Sequence, residues 1–465
     1  MLFTSTAYLV YLPVVLFLYH RLQPTGRRTM LLLASWLFYG TYNPWFMWVI
    51  LGTTSVDWVA AAQIDKSTEQ WKRSAWLGAS ITSNLGLLSF FKYSAFASDN
   101  LGPLSSVLGL DHWAWRAALP LGISFHTFQG ISYAVDVYRR ELKPVRSFTE
   151  FALFVSFFPQ LVAGPIVRAP EFVPQVDCRR EATAEETRRG IGLILYGMLK
   201  KVYVADVMAP IVNDAYANPG RVSGAGLLFA TLAFTVQIYC DFSGYSDIAI
   251  GSARLFGIVL PENFRTPYLA TSIREFWQRW HMSLSRWLRD YLYVPLGGSR
   301  HGTARTYLNL MLTMVLGGLW HGSGWNWVVW GTIQGVVMSL ERASGLDRVP
   351  DIAPVRLARW LLTFVITITS WVFFRSRSMS EALVVLDRIV HFSPGEVSLD
   401  ARVAISACAG LAAVLIGSGL GLRVRWLGWI GAQPVTLRWL AYAGVLVLGL
   451  TFAGVTKQEF IYFAF

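Results

Sequence analysis

Apolar runs long enough to cross a bilayer recur from one end of this chain to the other, and that constrains its fold more than anything else in it. In hydrocarbon every backbone donor and acceptor must be paired internally, which leaves helices or a closed β-barrel. The runs do not alternate apolar and polar residues in short strands, as barrel walls do. With 54% hydrophobic and 15% charged residues, the chain is also too poor in polar surface to bury so many runs in water. The expectation is an all-α polytopic membrane protein, one membrane domain spanning residues 1–465.

Candidate crossings fall at residues 7–20, 30–42, 45–62, 76–96 and 119–138, and the links between them alternate in charge. Arg21, Arg27 and Arg28 occupy the first link, whereas Tyr42, Asn43 and Pro44 leave the second uncharged. Lys66, Lys72 and Arg73 follow, then a link over 99–111 without Lys or Arg, then Arg139, Arg140, Lys143 and Arg146. The positive-inside bias puts the basic links in the cytoplasm and the N-terminus outside. Residues 151–166 are apolar but basic on both flanks, which a full crossing would violate. Pro159, Gly164 and Pro165 suit a re-entrant segment there, and residues 179–189 read as a surface helix. Crossings at 190–212, 224–250, 307–320, 325–340, 356–374, 403–422 and 438–455 bring the count to about 11–12, with both termini outside. Arg375 and Arg377 run against this scheme.

The same bias accounts for the net charge of +12, so no nucleic-acid partner is needed to explain it. Cys178, Cys240 and Cys408 show neither disulfide nor metal spacing. The first run lacks a basic leader and reads as a crossing rather than a signal peptide. No internal repeat supports an inverted-repeat transporter.

Residues 271–342 are the least ordinary stretch. Arg279, Ser283, Arg286 and Asp290 recur at helical spacing beside an apolar face of Trp280, Leu284, Trp287 and Tyr291, the pattern of an amphipathic helix over 274–293. The run LNLMLTMVLGGLWHGSGWNWVVW (308–330) is broken by Gly317, Gly318, Gly322 and Gly324. Of only seven histidines, His281 lies in the first part and His321 at the break in the second. A desolvated imidazole at residue 321 stays neutral and can serve as a general base, or it can be a structural hydrogen-bonded group. His281 can orient or support such a base, bind substrate, or be an interfacial residue without a chemical role. Arg286, Arg289 and Asp290 can hold the phosphates of a coenzyme or face solvent and lipid headgroups. Trp280, Trp320 and Asn326 flank the histidines and complete the candidate donor- and substrate-binding set. Asp57, Asp136, Asp241 and Asp247, inside or at the ends of apolar runs, can form a proton pathway but read rather as partners for neighbouring arginines or backbone groups, and His126 reads as a hydrogen-bonded core residue. No metal set, GxSxG, P-loop or dinucleotide fingerprint is present in the sequence.

At FWQRWHMSLSRWLRDYLYVPLGG and GGLWHGSGWNWVVWG the chain resembles the membrane-bound O-acyltransferase superfamily, in the bacterial branch of alginate O-acetyltransferase and the teichoic acid D-alanyl transfer protein. PLGISFHTFQGISYAVDVYR, FPQLVAGPIVR, QIYCDFSGYSDIAIGSARLFGI and PENFRTPYLATSIREFW carry the likeness across the chain, and PLGG favours the alginate-like branch. The resemblance implies a catalytic role for His321 and a partner role for His281. It implies acetyl transfer from a cytoplasmic thioester, acetyl-CoA as co-substrate with no bound cofactor, to an exported polysaccharide or a periplasmic partner acetyltransferase. It also implies a bacterial inner-membrane location. D-alanyl transfer from a carrier-protein thioester is the alternative within enzymes, and a polysaccharide or proton-coupled transporter the alternative outside them.

Overall fold

The computed structural model describes residues 1–107, 119–162, 164–176, 180–345, 352–395, 401–453 and 460–461, and among them all regular structure is helical. The expected runs fold as helices such as Thr6–Arg21, Pro24–Gly40, Phe46–Lys66 and Ile123–Tyr138, while 76–96 falls inside the longer helix Gln70–Val107. Gly224–Leu255 and Ala353–Arg375 are long and apolar enough on their own to cross a membrane. Ala404–Gly419 and Leu422–Ala432, bent by 68°, make a third crossing if they are one broken span.

Several helices are apolar outside and polar inside. In Ala353–Arg375 the buried residues include Thr363, Thr367 and Ser370, whereas Leu361, Leu362 and Val365 are exposed. In Gly302–His321, Thr306, Asn309 and Thr313 are buried while Leu308, Leu312 and Leu316 face outward. Water would penalise this arrangement and lipid rewards it.

The chain packs as two compact units, residues 1–191 with 249–261, and residues 192–248 with 262–465. In the first, the turned segment near residue 160 is buried from Phe151 to Val162. Phe148–Ser156 is capped by Ser147 and broken at Phe157 (φ −55°, ψ 114°), after which Phe158–Leu161 resumes. The break therefore falls ahead of the expected Pro159, which sits in a first helical turn where its missing donor costs nothing. The Phe158 amide donates to Ser35 Oγ at 3.1 Å, so protein satisfies the broken backbone. Asp57 accepts from Ser80 Oγ at 2.6 Å and Asn84 Nδ2 at 2.8 Å, neutral side chains in place of the arginine or backbone partner expected for it. His126 is buried without a hydrogen-bond partner among the described residues, contrary to the expectation for it.

In the second unit a π-helical turn, Leu199–Ala205, presents two adjacent lysines to different acids. Lys200 pairs with Asp247 at 2.7 Å, and Lys201 with Asp206 and Asp241 at 2.6 Å each. Arg423 bridges Asp247 at 3.0 Å and Glu262 at 2.9 Å. Asp241 also accepts from the Ile461 amide at 2.8 Å, so both acids partner basic or backbone groups, as buried carboxylates must. Residues 274–293 depart from expectation. They form Ile273–Arg279, Met282–Leu288 and a π turn Arg289–Tyr293 instead of one amphipathic helix.

Candidate active site

The break in that segment is where His281 sits. Ile273–Arg279 begins with Ser272 accepting from the Glu275 amide at 3.0 Å, and Glu341 accepts from the Ile273 and Arg274 amides at 2.6 and 3.2 Å. Three donors of the first turn, which a helix cannot satisfy itself, are thereby met. The helix ends at Arg279. His281 then takes a left-handed backbone conformation (φ 42°, ψ 52°), unfavourable for a residue with a Cβ, and serves as N-cap of Met282–Leu288. Asn263 holds the break. Its carbonyl oxygen accepts from the Met282 amide at 3.0 Å. Its side-chain Oδ1 accepts from the Ser283 amide at 3.2 Å and the Ser283 hydroxyl at 2.9 Å, and lies 3.1 Å from His281 Nδ1. His281 is fully buried, with the Phe242 ring edge-on at 4.7 Å.

His321 is the last residue of Gly302–His321 and is buried. Gly322 continues in extended conformation and the chain re-enters a helix at Trp325. A Cβ on Gly322 would stand 2.1 Å from Trp327 Nε1, so only glycine lets that indole close over the break. Trp327 stacks on the imidazole at 6.1 Å, while Trp330 and Phe374 meet it edge-on at 5.2 and 5.3 Å. The two helices of this hairpin touch through backbone. A Cβ on Gly318 would lie 2.3 Å from the Trp327 carbonyl oxygen, and one on Gly331 2.4 Å from that of Met314.

Trp320 joins the two histidines, its ring 6.2 Å from His281 and 4.8 Å from His321. Residues 40 apart in sequence thus meet one indole. The other sequence candidates divide. Trp280 is buried in an aromatic cluster with Phe264, Phe276 and Trp371 at 5.1, 5.5 and 5.1 Å. Asn326 directs its amide to the carbonyls of Phe373 and Ser376 at 3.2 and 2.9 Å, tying down the chain on either side of Phe374. Asp290 takes Arg289 through two contacts of 2.6 and 3.1 Å near the surface, and Arg286 is half-buried one turn earlier. Sequence reasoning missed Asn263, Ser283, Trp330, Trp371 and Phe374 as shapers of the site. Asn263 lies in PENFRTPY, but nothing in its spacing tells that it will fold back on residue 281. The Ser283 hydroxyl is turned to Asn263 Oδ1, so this serine is not set up as an activated nucleophile.

The family described as MBOAT, membrane-bound O-acyltransferase family, matches residues 136–374. A probable alginate O-acetylase of Pseudomonas putida is 39% identical over 402 residues, 86% of this chain and 82% of that protein. A peptidoglycan O-acetyltransferase of Helicobacter pylori is 35% identical over 413 residues, covering 82% and 78%. A teichoic acid D-alanyltransferase of Bacillus subtilis is 30% identical over 230 residues, covering 47% and 58%.

Proposed function

This chain belongs to the membrane-bound O-acyltransferase family, and from that premise we propose that it moves an acetyl group from a cytoplasmic thioester, acetyl-CoA, to a hydroxyl of an exported polysaccharide. It is a multi-pass membrane protein and an O-acyltransferase. The acetyl donor and glycan acceptor are inferred from the relatives named for acetylation of alginate and peptidoglycan, which match over most of the chain. In this reading the protein lies in the bacterial inner membrane with both termini outside. The acetyl group reaches the polymer directly or through a periplasmic partner acetyltransferase.

A thioester is already activated, so the protein must chiefly align it and deprotonate the alcohol. His321 takes the hydroxyl proton as the oxygen attacks the acetyl carbon. The carbon–sulfur bond then breaks, and the departing thiolate recovers the proton from the imidazolium. His281, in contact with the same indole, supports the reacting groups. Arg286, Arg289 and Asp290 shape the cytoplasmic approach of the donor. The observation that carries this reading is His321 buried at a helix end, walled by Trp327, Trp330 and Phe374 and reached through Trp320 from His281.

The test is acetyl transfer by purified protein in lipid nanodiscs with labelled acetyl-CoA. A general base contributes about 100- to 10,000-fold in rate, and His321→Ala is expected to lose that much. Turnover near wild type in this variant overturns the assignment. The D-alanyl reading, favoured by the teichoic acid relative over about half the chain, predicts instead dependence on a small acidic carrier protein.

A further inference from the structure

We propose that Asn263 is a positioning residue that fixes His281 as the Nδ1–H tautomer, so that His281 meets substrate through Nε2 as a hydrogen-bond acceptor. This rests on the acyl-transfer reading for its kinetic consequences but not for its spectroscopic one. The argument begins with the identity of one atom. Side-chain oxygen and nitrogen of an asparagine are told apart by their partners. The atom of Asn263 facing His281 also receives the Ser283 amide N–H at 3.2 Å, a group that can only donate, so that atom is the oxygen. The other terminus, Nδ2, donates to Ser246 Oγ at 3.2 Å, which agrees. An amide oxygen only accepts, and His281 Nδ1 lies 3.1 Å from it, so Nδ1 bears the proton. In the neutral ring Nε2 is then the basic nitrogen.

The left-handed backbone at residue 281 serves this arrangement. It turns the chain so that the Met282 amide meets the Asn263 carbonyl oxygen, and residues 281 and 283 share one Oδ1. Asn263 is itself held by its neighbour, because Glu262 is pinned by Arg423 at 2.9 Å and Arg265 at 2.9 Å.

An acceptor nitrogen cannot donate a hydrogen bond to the oxyanion of a tetrahedral intermediate. His281 therefore holds a donor group of the substrate, a hydroxyl or an amide N–H, and leaves oxyanion stabilisation to others. Three charged groups on the elements around it are engaged in ion pairs. Asp241 and Asp247 on the Phe242 helix pair with Lys201 and Lys200, and Arg279 on its own segment pairs with Glu275 at 2.6 Å. His321 contacts the same Trp320 ring.

The test has two arms. In ¹⁵N spectra of histidine-labelled protein, the signal lost in His281→Gln identifies residue 281. The expected pattern is a protonated Nδ1 and a bare Nε2; a protonated Nε2 with a bare Nδ1 overturns the proposal whatever the activity. In the kinetic arm, Asn263→Ala is expected to lower kcat about 10- to 100-fold, as loss of a group orienting a functional imidazole does. Asn263→Asp keeps the acceptor oxygen but adds a negative charge beside Nδ1–H, which favours imidazolium. Its activity is expected to recover toward wild type at high pH, with the acid limb of the pH–rate profile displaced upward. A profile of wild-type position in Asn263→Asp overturns the positioning role. An inactive His321→Gln with an unchanged His281 spectrum leaves the tautomer assignment standing on its own, and an active one refutes the base assignment without touching it.

Discussion

Gly322 is the residue on which the geometry around His321 turns, because Trp327 lies where its side chain would be. Its backbone is ordinary extended chain, so the requirement is for space and not for an unusual conformation. Gly322→Ala forces the indole off its stacking position against the imidazole. The expected cost is about 1–3 kcal/mol, the usual range for overpacking a tight site, with a fall in acyl transfer of at least about tenfold. Thermal unfolding in detergent together with turnover checks this. A variant with unchanged turnover would show that the Trp327–His321 stack has no part in the reaction. Asn326 acts at the same scale but through the backbone. Its amide holds the carbonyls that bracket Phe374, the ring meeting His321 at 5.3 Å.

Two short helices and a helical hairpin set the site. The hairpin of Gly302–His321 and Trp325–Ser344 closes to backbone contact because Gly318 and Gly331 present no side chain, which brings Trp327 and Trp330 against the imidazole. At Gly331 the obstacle to a side chain is the Met314 carbonyl, which cannot swing aside as a flexible side chain can. Gly331→Val is therefore expected to spread the hairpin, lower the unfolding temperature by more than Gly322→Ala does, and abolish acyl transfer. Retention of both within error would refute the close approach. The partner segment is joined to the hairpin by Glu341, which caps Ile273–Arg279, and by Gln334, whose Oε1 accepts from Trp277 Nε1 at 3.1 Å. These ties place the His281 break against the same hairpin that carries His321.

At the scale of the whole molecule, the bilayer is the solvent that makes the residue distribution intelligible. Leu362 and Val365 face outward while Thr363 and Thr367 face in, and only hydrocarbon surroundings make that favourable. The alternation of basic and uncharged links adds an orientation. In a protein whose native cysteines are replaced, Tyr42→Cys is expected to react with an impermeant maleimide from the periplasmic side. Lys143→Cys is expected to react only after the inner membrane is opened. The reverse pattern would invert the proposed topology.

How much of this could be read in advance differs from feature to feature. Helices, their membrane setting and the family were legible, because apolar runs and the WHG and RWH segments are local properties of the chain. For Asp241 and Asp247 an arginine or backbone partner was expected, and Arg423 and the Ile461 amide fit that, but the lysines that also pair with them were not foreseen, because the π turn at Lys200 and Lys201 decides where those side chains go. The continuous amphipathic helix expected over 274–293 was wrong. Its periodicity is real on both sides of the break, but periodicity does not register that the chain leaves helical conformation at residues 280–281, where Asn263 holds His281 and the first turn of Met282–Leu288. The sequence by itself determined that this chain is helical, lives in lipid and belongs among acyltransferases, since those follow from composition, period and local motif. The tertiary structure alone decided that His281 and His321 share one indole and that Asn263 holds the first of them. Contacts between residues tens of positions apart depend on where the intervening helices stop and turn, which no local pattern records.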